Sequence, residues 1–323
     1  MTTRLRPLNT SFGHARRGRP AEHDYHQPVS SARIGLAQLA PALGRVAENL
    51  EAHRATITQA RAGGVDLLVF PELGLTGYLL QDLNAEVAMR RDDARLLDLA
   101  AQTGGMSVVI GFVERSDDEQ LFISAALLED GRLSHVYRKS YLPSYGLFDE
   151  RRFFAAGSML RAVDSRLGVR LGICVCEDFW HLPVPYLLAL DGAQILVNIS
   201  SSPGRDVAAV VEGGLGTAES WRTIMRAYAQ LTTCFVVFVN RVGVEESVTF
   251  WGGSQVIDPA GNVVFEAPLL ESGVHIVEID LDAVRRERVA LPLLRDERPE
   301  LVLRQLERVV REQAGVPAGD AEQ

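Results

Sequence analysis

Apolar residues fall along this chain in two rhythms, and the alternation between them predicts its architecture. Short unbroken apolar runs read as buried strands, and stretches with apolar positions three and four apart read as helices packed on them. Arg33 to Leu39 is the first strand-like run, and Val46 to Ala62 follows at helical spacing until Gly63 and Gly64 stop it. Asp66 to Glu72 (DLLVFPE) reads as a buried strand ending in a Pro-Glu corner, so the first unit is strand, helix, strand. A helix over Ala94 to Ala101 leads to a strand over Ser107 to Val113. Leu121 to Leu128 and Leu133 to Tyr137 then form a hairpin about Glu129, Asp130, Gly131 and Arg132. Alternation resumes with a strand at Val169 to Val175, a helix near Pro185 to Leu190, a strand at Gln194 to Ile199, a helix at Thr217 to Gln230 and a strand at Cys234 to Asn240. Two strands, Ser254 to Ile257 and Val263 to Glu266, flank the turn Asp258 to Asn262 (DPAGN), and His275 to Ile279 adds another. The class is α/β.

The ends depart from this pattern. Residues 1–30 are rich in Arg, Pro, His and Ser with almost no periodic hydrophobics, which predicts a flexible tail. Its Arg16, Arg17 and Arg19 cluster reads as part of a solvated arm. Residues 31–282 form the expected folded domain, and 283–323 an Arg- and Glu-rich helical extension, exposed or docked on a second subunit. The 47% hydrophobic and 23% charged composition of the 323 residues suits one large domain. A formal net charge of −9 gives no field for nucleic acid or an anionic membrane. No run approaches the ~18 to 20 apolar residues of a bilayer span, and the N-terminus lacks a secretory core, so a soluble, cytoplasmic protein is expected. Three cysteines, at 174, 176 and 234, are too few to staple a chain of this size and are expected to be reduced.

Candidate chemistry gathers at strand ends, where ligands collect in open α/β sheets. Glu72, Lys139 and Cys176 each end an apolar run. Individually each has an ordinary reading: Glu72 beside a helix or turn terminus, Lys139 reaching water, Cys176 a buried thiol. Together they make a nucleophile with its base and its cation. A thiol of ordinary pKa ~8.5 is mostly protonated at neutral pH, so a catalytic cysteine needs an adjacent base or positive charge. Glu72 can be the base, and Lys139 with the backbone N–H after Cys176 can hold the oxyanion formed on attack at an amide carbonyl. His181 lies close in sequence and could make a Cys-His pair. No His or Cys spacing supports a metal site, and the run Glu212 to Gly216 lacks the pattern of a nucleotide loop, so no cofactor is expected.

Phe70 to Tyr78 (FPELGLTGY), Arg138 to Pro143 (RKSYLP), Phe148 to Phe153 (FDERRF) and Cys176 to Trp180 (CEDFW) resemble, in order, motifs of the nitrilase superfamily of carbon–nitrogen hydrolases. Asn198 to Pro203, Asn240 to Gly243 and Gly252 to Ser254 extend the likeness from about Arg33 to Asp280, and its motifs are most similar to the glutaminase domain of glutamine-dependent NAD synthetase. The resemblance implies a four-layer αββα sandwich, the catalytic set Glu72, Lys139 and Cys176, and Glu150 as a second, supporting glutamate. It places Tyr145 and Phe148 on the pocket wall. Glu177 beside the nucleophile, and Ser202 and Arg205 at the substrate's amino-acid end, are the other candidate contacts. Cys174 is read as packing and Trp180 as a neighbour of the nucleophile.

The expected function is therefore a cofactor-independent thiol amidohydrolase that cleaves a small, possibly glutamine-like carboxamide to acid and ammonia. A nitrilase, an N-carbamoyl amine hydrolase and an inactive binding protein of the same fold are the alternatives. No pyrophosphate loop of the Ser-Gly-Gly-x-Asp-Ser type is present, and about forty residues follow Asp280, so the chain is expected to act alone or to give ammonia to a separate enzyme. Its apolar helices predict a homodimer or higher homo-oligomer.

Overall fold

The computed structural model describes residues 31–204 and 216–314. Within them two six-stranded sheets stack face to face with helices outside. The first sheet is built from β1 (Ser31–Gln38), β2 (Leu67–Val69), β3 (Ser107–Arg115), β4 (Leu121–Glu129) and β5 (Arg132–Arg138). The second uses β6 (Val163–Asp164), β7 (Arg170–Val175), β8 (Ile195–Ser200), β9 (Phe235–Asn240), β12 (Gln255–Ile257) and β13 (Val263–Glu266). Between β9 and β12 lies a separate hairpin, β10 (Val242–Glu245) with β11 (Val248–Trp251), and β14 (Gly273–Asp280) returns to the first sheet. The strand orders are β14-β1-β2-β3-β4-β5 and β13-β12-β9-β8-β7-β6. In both sheets the central trio, β1-β2-β3 or β7-β8-β9, is parallel and the flanking pairs are antiparallel. The fold is the four-layer αββα sandwich.

Side-chain alternation explains the layers. On β3, Val108, Ile110 and Phe112 belong to the core shared with α1 (Val46–Ala62) and α3 (Ala94–Ala101), whereas Val109 and Val113 belong to the core between the sheets. Helix α1 turns Leu50, His53, Ile57 and Ala60 inward and ends at Gly63, with Gly64 at φ +66. The short helix α2 (Asn84–Val87) precedes α3. On the second sheet α5 (Pro183–Leu190) and α6 (Gly216–Thr232) bury Val184, Leu188, Trp221 and Met225. The β4–β5 hairpin turns through Asp130 and Gly131 at φ +52 and +73, the pattern of a tight hairpin turn whose twist matches the strands.

The polar C-terminal extension is helical, with α7 (Asp282–Ala290), α8 (Leu293–Asp296) and α9 (Pro299–Gln313). Helix α7 is tied to the body by buried Val284 and by Arg288, which donates to the Ala193 carbonyl at 2.7 Å. Helix α9 buries nothing, and Val302, Leu306 and Val310 lie exposed along one stripe. Residues 1–30 and Arg205, for which a tail and a substrate contact were expected, lie outside the described residues. Several short elements escaped the periodicity, α2 and the two-residue β6 among them. The β10–β11 hairpin turns at Glu246 with φ +52 and no glycine to announce it, and α4 (Glu150–Phe153) is a single turn.

Candidate active site

The ends of three strands and one hairpin meet between the sheets. Glu72 follows β2, Lys139 follows β5, Cys176 follows β7, and Ser201 and Ser202 follow β8. Lys139 is 1% exposed, and its Nζ donates to Glu72 Oε1 and to Glu150 Oε1, both at 2.8 Å. The lysine does not reach water, and Glu72, which stands at the start of the turn 72–76, spends its carboxylate on other segments rather than on that turn. The second Glu72 oxygen accepts from the Ser201 N–H at 2.8 Å, and the Ser201 hydroxyl donates to the Glu72 carbonyl at 2.9 Å. Glu150 Oε1 also accepts from the Tyr78 hydroxyl at 2.6 Å. Tyr78 is held in turn by Glu245, whose carboxylate takes the Tyr78 and Leu79 N–H groups and the buried Arg241 guanidinium.

Close backbone approach fixes two of these residues. A Cβ on Gly111 of β3 would lie 2.5 Å from the Leu73 nitrogen and 2.9 Å from Glu72 Cα, so only glycine lets β3 run beneath the Pro-Glu corner. A Cβ on Gly157 would lie 2.1 Å from the Arg138 carbonyl, just before the lysine. Cys176 sits in a strained backbone. β7 ends at Val175, and Cys176 enters a left-handed conformation at φ +46 that begins a tight 3-10 turn, Cys176–Trp180. Such a backbone costs of order ~1 to 3 kcal/mol and persists only where its surroundings impose it. Here the Cys176 N–H donates to Asn198 Oδ1 at 2.7 Å. The Glu177 N–H, at the start of the turn, has no acceptor within it.

Asp178, in the same turn, ties the Cys176 segment to the Lys139 segment. Its buried carboxylate accepts from the Val175 N–H at 2.9 Å and the Tyr137 hydroxyl at 2.8 Å on one oxygen, and from the Ser140 and Tyr141 N–H groups at 3.1 and 3.0 Å on the other. Residues flanking Cys176 and Lys139 are thereby held by one side chain. The sequence presented Asp178 only as part of a motif, because strand patterning does not reveal which two segments a buried carboxylate bridges.

Burial governs the charges. It pushes the Cys176 thiol well above its ordinary range, with the Glu72 carboxylate adding and Lys139 opposing. Burial alone would lower the Lys139 ammonium, but Glu150 and Glu72 outweigh it and hold the lysine protonated. Burial raises Glu150 to about 7 against the pull of Lys139. Asp178 is likewise raised by burial, to about 6, against the donors around it. The resting Cys176 is a neutral thiol beside the Lys139 ammonium.

Cys176 opens into a cavity of about 420 Å³ lined by Tyr145, Phe148, Glu177, Trp180, Ser202 and Trp221. Tyr145, Phe148, Glu177 and Ser202 are thus brought together as the sequence suggested. The Tyr145 hydroxyl donates to Glu177 at 2.9 Å. The Ser202 Oγ accepts from Trp221 Nε1 at 2.9 Å and Trp251 Nε1 at 3.3 Å. With both lone pairs engaged, the serine proton remains to donate. Trp180 packs edge-on against Trp221, with ring centroids 5.3 Å apart, and His181 stacks on Tyr141 and lies 3.7 Å from Glu177. Cys174 remains in the strand, its Sγ 3.4 Å from the Val197 carbonyl, while Cys176 has left it. Among the described residues no group of three His, Cys, Asp or Glu side chains is placed to hold a metal ion.

The sequence profile of the carbon–nitrogen hydrolase family matches residues 33–288. The glutamine-dependent NAD(+) synthetase of Thermotoga maritima is 35% identical over 257 residues, covering 77% of this chain and 42% of that protein. An (R)-stereoselective amidase of Pseudomonas sp is 34% identical over 271 residues, covering 82% of this chain and 91% of that protein. Among solved structures, a Glu-to-Gln mutant of the amidase from Nesterenkonia sp. AN1 aligns with TM-score 0.69 at 25% identity, over 86% of this chain and 98% of that one. That structure carries the acetamide moiety of fluoroacetamide added covalently at its active-site cysteine. The chain spans less than half the length of the NAD synthetases it matches. Among the described residues no helix is long and apolar enough to cross a membrane.

Proposed function

The chain belongs to the carbon–nitrogen hydrolase family, and from that premise we propose that it is a thiol amidohydrolase that converts a small carboxamide to acid and ammonia. The observation that carries the reading is the convergence of a strained, pocket-lining Cys176 with the buried Glu72–Lys139–Glu150 cluster. Glu72 takes the thiol proton as sulfur attacks the amide carbon. The tetrahedral oxyanion rests on the Lys139 ammonium and the Glu177 N–H, donors worth ~2.7 to 4 kcal/mol each in such sites. As the C–N bond breaks, Glu72 returns the proton to the departing nitrogen and ammonia leaves. Glu72 then draws a proton from water, whose oxygen attacks the thioester. Collapse of the second tetrahedral adduct expels the thiolate, which regains the proton as the acid departs. Glu150 and Tyr78 hold Lys139 in place throughout.

Head-group preference follows from the cavity wall. Glu177 is the charged side chain among the described lining residues, and Ser202 offers a proton. A substrate with an ammonium or other donor facing Glu177 and an acceptor facing Ser202 satisfies both, and glutamine-like amides carry both groups. The amidase name of a relative that the chain spans almost whole supports a reading in which this unit releases ammonia itself. The test is ammonia release from glutamine, other amino-acid amides, short aliphatic amides, N-carbamoyl amines and nitriles. Turnover of amides above the other two classes is expected. Nitrile turnover without amide turnover would overturn the reading.

A further inference from the structure

The Glu150 carboxylate receives both of its hydrogen bonds, from Lys139 and from the Tyr78 hydroxyl, on Oε1, and its other oxygen is buried without a partner. Apart from the lysine itself, Tyr78 is therefore the one group among the described residues that orients this carboxylate by a hydrogen bond. What fixes Tyr78 lies 167 residues away on the β10–β11 hairpin. Glu245 of β10, 4% exposed, accepts the Tyr78 N–H at 3.0 Å and the Leu79 N–H at 2.9 Å. Gly77, at φ +80, admits it: a Cβ there would lie 2.9 Å from Glu245 Oε1 and 2.8 Å from Leu43 Cα. Glu245 is itself held by the buried Arg241 guanidinium, whose Cζ lies 4.3 Å over the Phe250 ring and whose Nη2 donates to the Pro41 carbonyl at 3.2 Å. The hairpin is pinned beside the substrate pocket, where the Thr249 carbonyl accepts the Gly204 N–H at 2.8 Å and Trp251 donates to Ser202.

We propose that Glu245 is a positioning residue for the Lys139 ammonium: it sets the Tyr78 main chain, Tyr78 sets Glu150, and Glu150 with Glu72 sets the lysine. Every link in this route is buried, and Glu150 has no further donor to hold it if Tyr78 moves. A shift of Tyr78 by ~1 Å stretches its 2.6 Å bond to Glu150 beyond hydrogen-bond length, which frees that carboxylate to turn and leaves Lys139 on Glu72 alone. The inference rests on the amidohydrolase reading for its turnover measurement only, because the reactivity of Cys176 reports on Lys139 without any substrate being turned over.

The experiment compares Glu245→Gln, Tyr78→Phe and the double variant with wild type by steady-state kinetics on an accepted amide and by the pH profile of Cys176 alkylation with chloroacetamide, followed by mass spectrometry. Lys139 opposes the upward push of burial on the Cys176 thiol, so a displaced lysine moves that profile to higher pH. Each single variant should lower kcat about tenfold with KM within about twofold, and raise the pH of half-maximal alkylation. Because Glu245 acts through the Tyr78 hydroxyl, the double variant should be no slower than the slower single variant. Should Glu245→Gln unfold around an unpaired Arg241, the variant Arg241→Gln/Glu245→Gln removes both charges and carries the same expectation. If Glu245 only closes the 76–79 loop, its variant melts earlier with kcat and alkylation profile unchanged. That result, or losses that multiply to about hundredfold in the double variant, would overturn the proposal. Shifted alkylation profiles in a protein that turns over no amide would uphold the positioning role and sink the amidase reading instead.

Discussion

Replacing Asp178 by Asn tests whether one buried carboxylate sets the spacing of nucleophile and cation. Asparagine keeps a single acceptor oxygen. If that oxygen serves the Ser140 and Tyr141 N–H groups, the amide nitrogen faces the Val175 N–H; in the other orientation it faces the two turn amides. The Tyr137 hydroxyl can turn to Ser140 Oγ, 3.1 Å away, so its loss is partly offset. One or two buried backbone donors are left unpaired, at ~1 to 3 kcal/mol each, for a total of ~1 to 6 kcal/mol. For a domain of this size that lowers the melting temperature by roughly 2 to 24 °C. Because Val175 precedes Cys176 and Ser140 follows Lys139, both catalytic groups lose their anchor, and a ~1 Å misplacement costs ~100-fold in rate. Thermal melting and steady-state kinetics on an accepted amide should therefore show lower stability and a kcat reduced ~10- to 100-fold with KM little changed. A variant that melts with the wild type and keeps more than half its turnover would refute the bridging role.

Lys139→Arg keeps the charge but puts a broad planar fork where a compact ammonium contacts two glutamates, and turnover should fall below a tenth of wild type, a barrier rise above ~1.4 kcal/mol, in a folded protein. Glu150 is raised from 4.5 to about 7, so its protonated form stabilises the fold below about 4.5 and that contribution is lost as pH rises through about 7. Glu150→Gln lacks this titration, so its melting temperature should gain on the wild type between pH 5 and 8, and a constant gap would contradict the shift. The exposed stripe Val302, Leu306 and Val310 of α9 predicts a homodimer or higher homo-oligomer by light scattering, and Leu306→Glu should shift it toward monomer; a wild-type monomer at micromolar concentration would contradict this.

Much of the sandwich was legible because its strands are continuous apolar runs and its helices carry clear spacing. The helix Val46 to Ala62 was readable to the residue, since paired glycines end it. Glu72, Lys139, Glu150 and Cys176 were legible as ordered motifs, and the structure adds that one lysine bridges the two glutamates. What sequence could not supply was long-range partnership. Asn198 on the Cys176 amide is 22 residues away, Asp178 on the Ser140 amide 38, and Glu245 on the Tyr78 amide 167. Such bonds are fixed by how the sheets stack, and no local period records them. The left-handed turn at Cys176 was invisible for a related reason: nothing in Val-Cys-Glu signals positive φ, which the surrounding hydrogen bonds impose.

The central claim, that Cys176 forms an acyl intermediate with an amide, is tested most directly by acyl transfer. Wild type and Cys176→Ala are incubated with an amide that releases ammonia, in the presence of hydroxylamine, and hydroxamate is quantified. The thioester predicts hydroxamate from the wild type and less than ~1% of that rate from Cys176→Ala, a barrier difference above ~2.7 kcal/mol. Hydroxamate formed by Cys176→Ala at a rate comparable to wild type would place the nucleophile elsewhere.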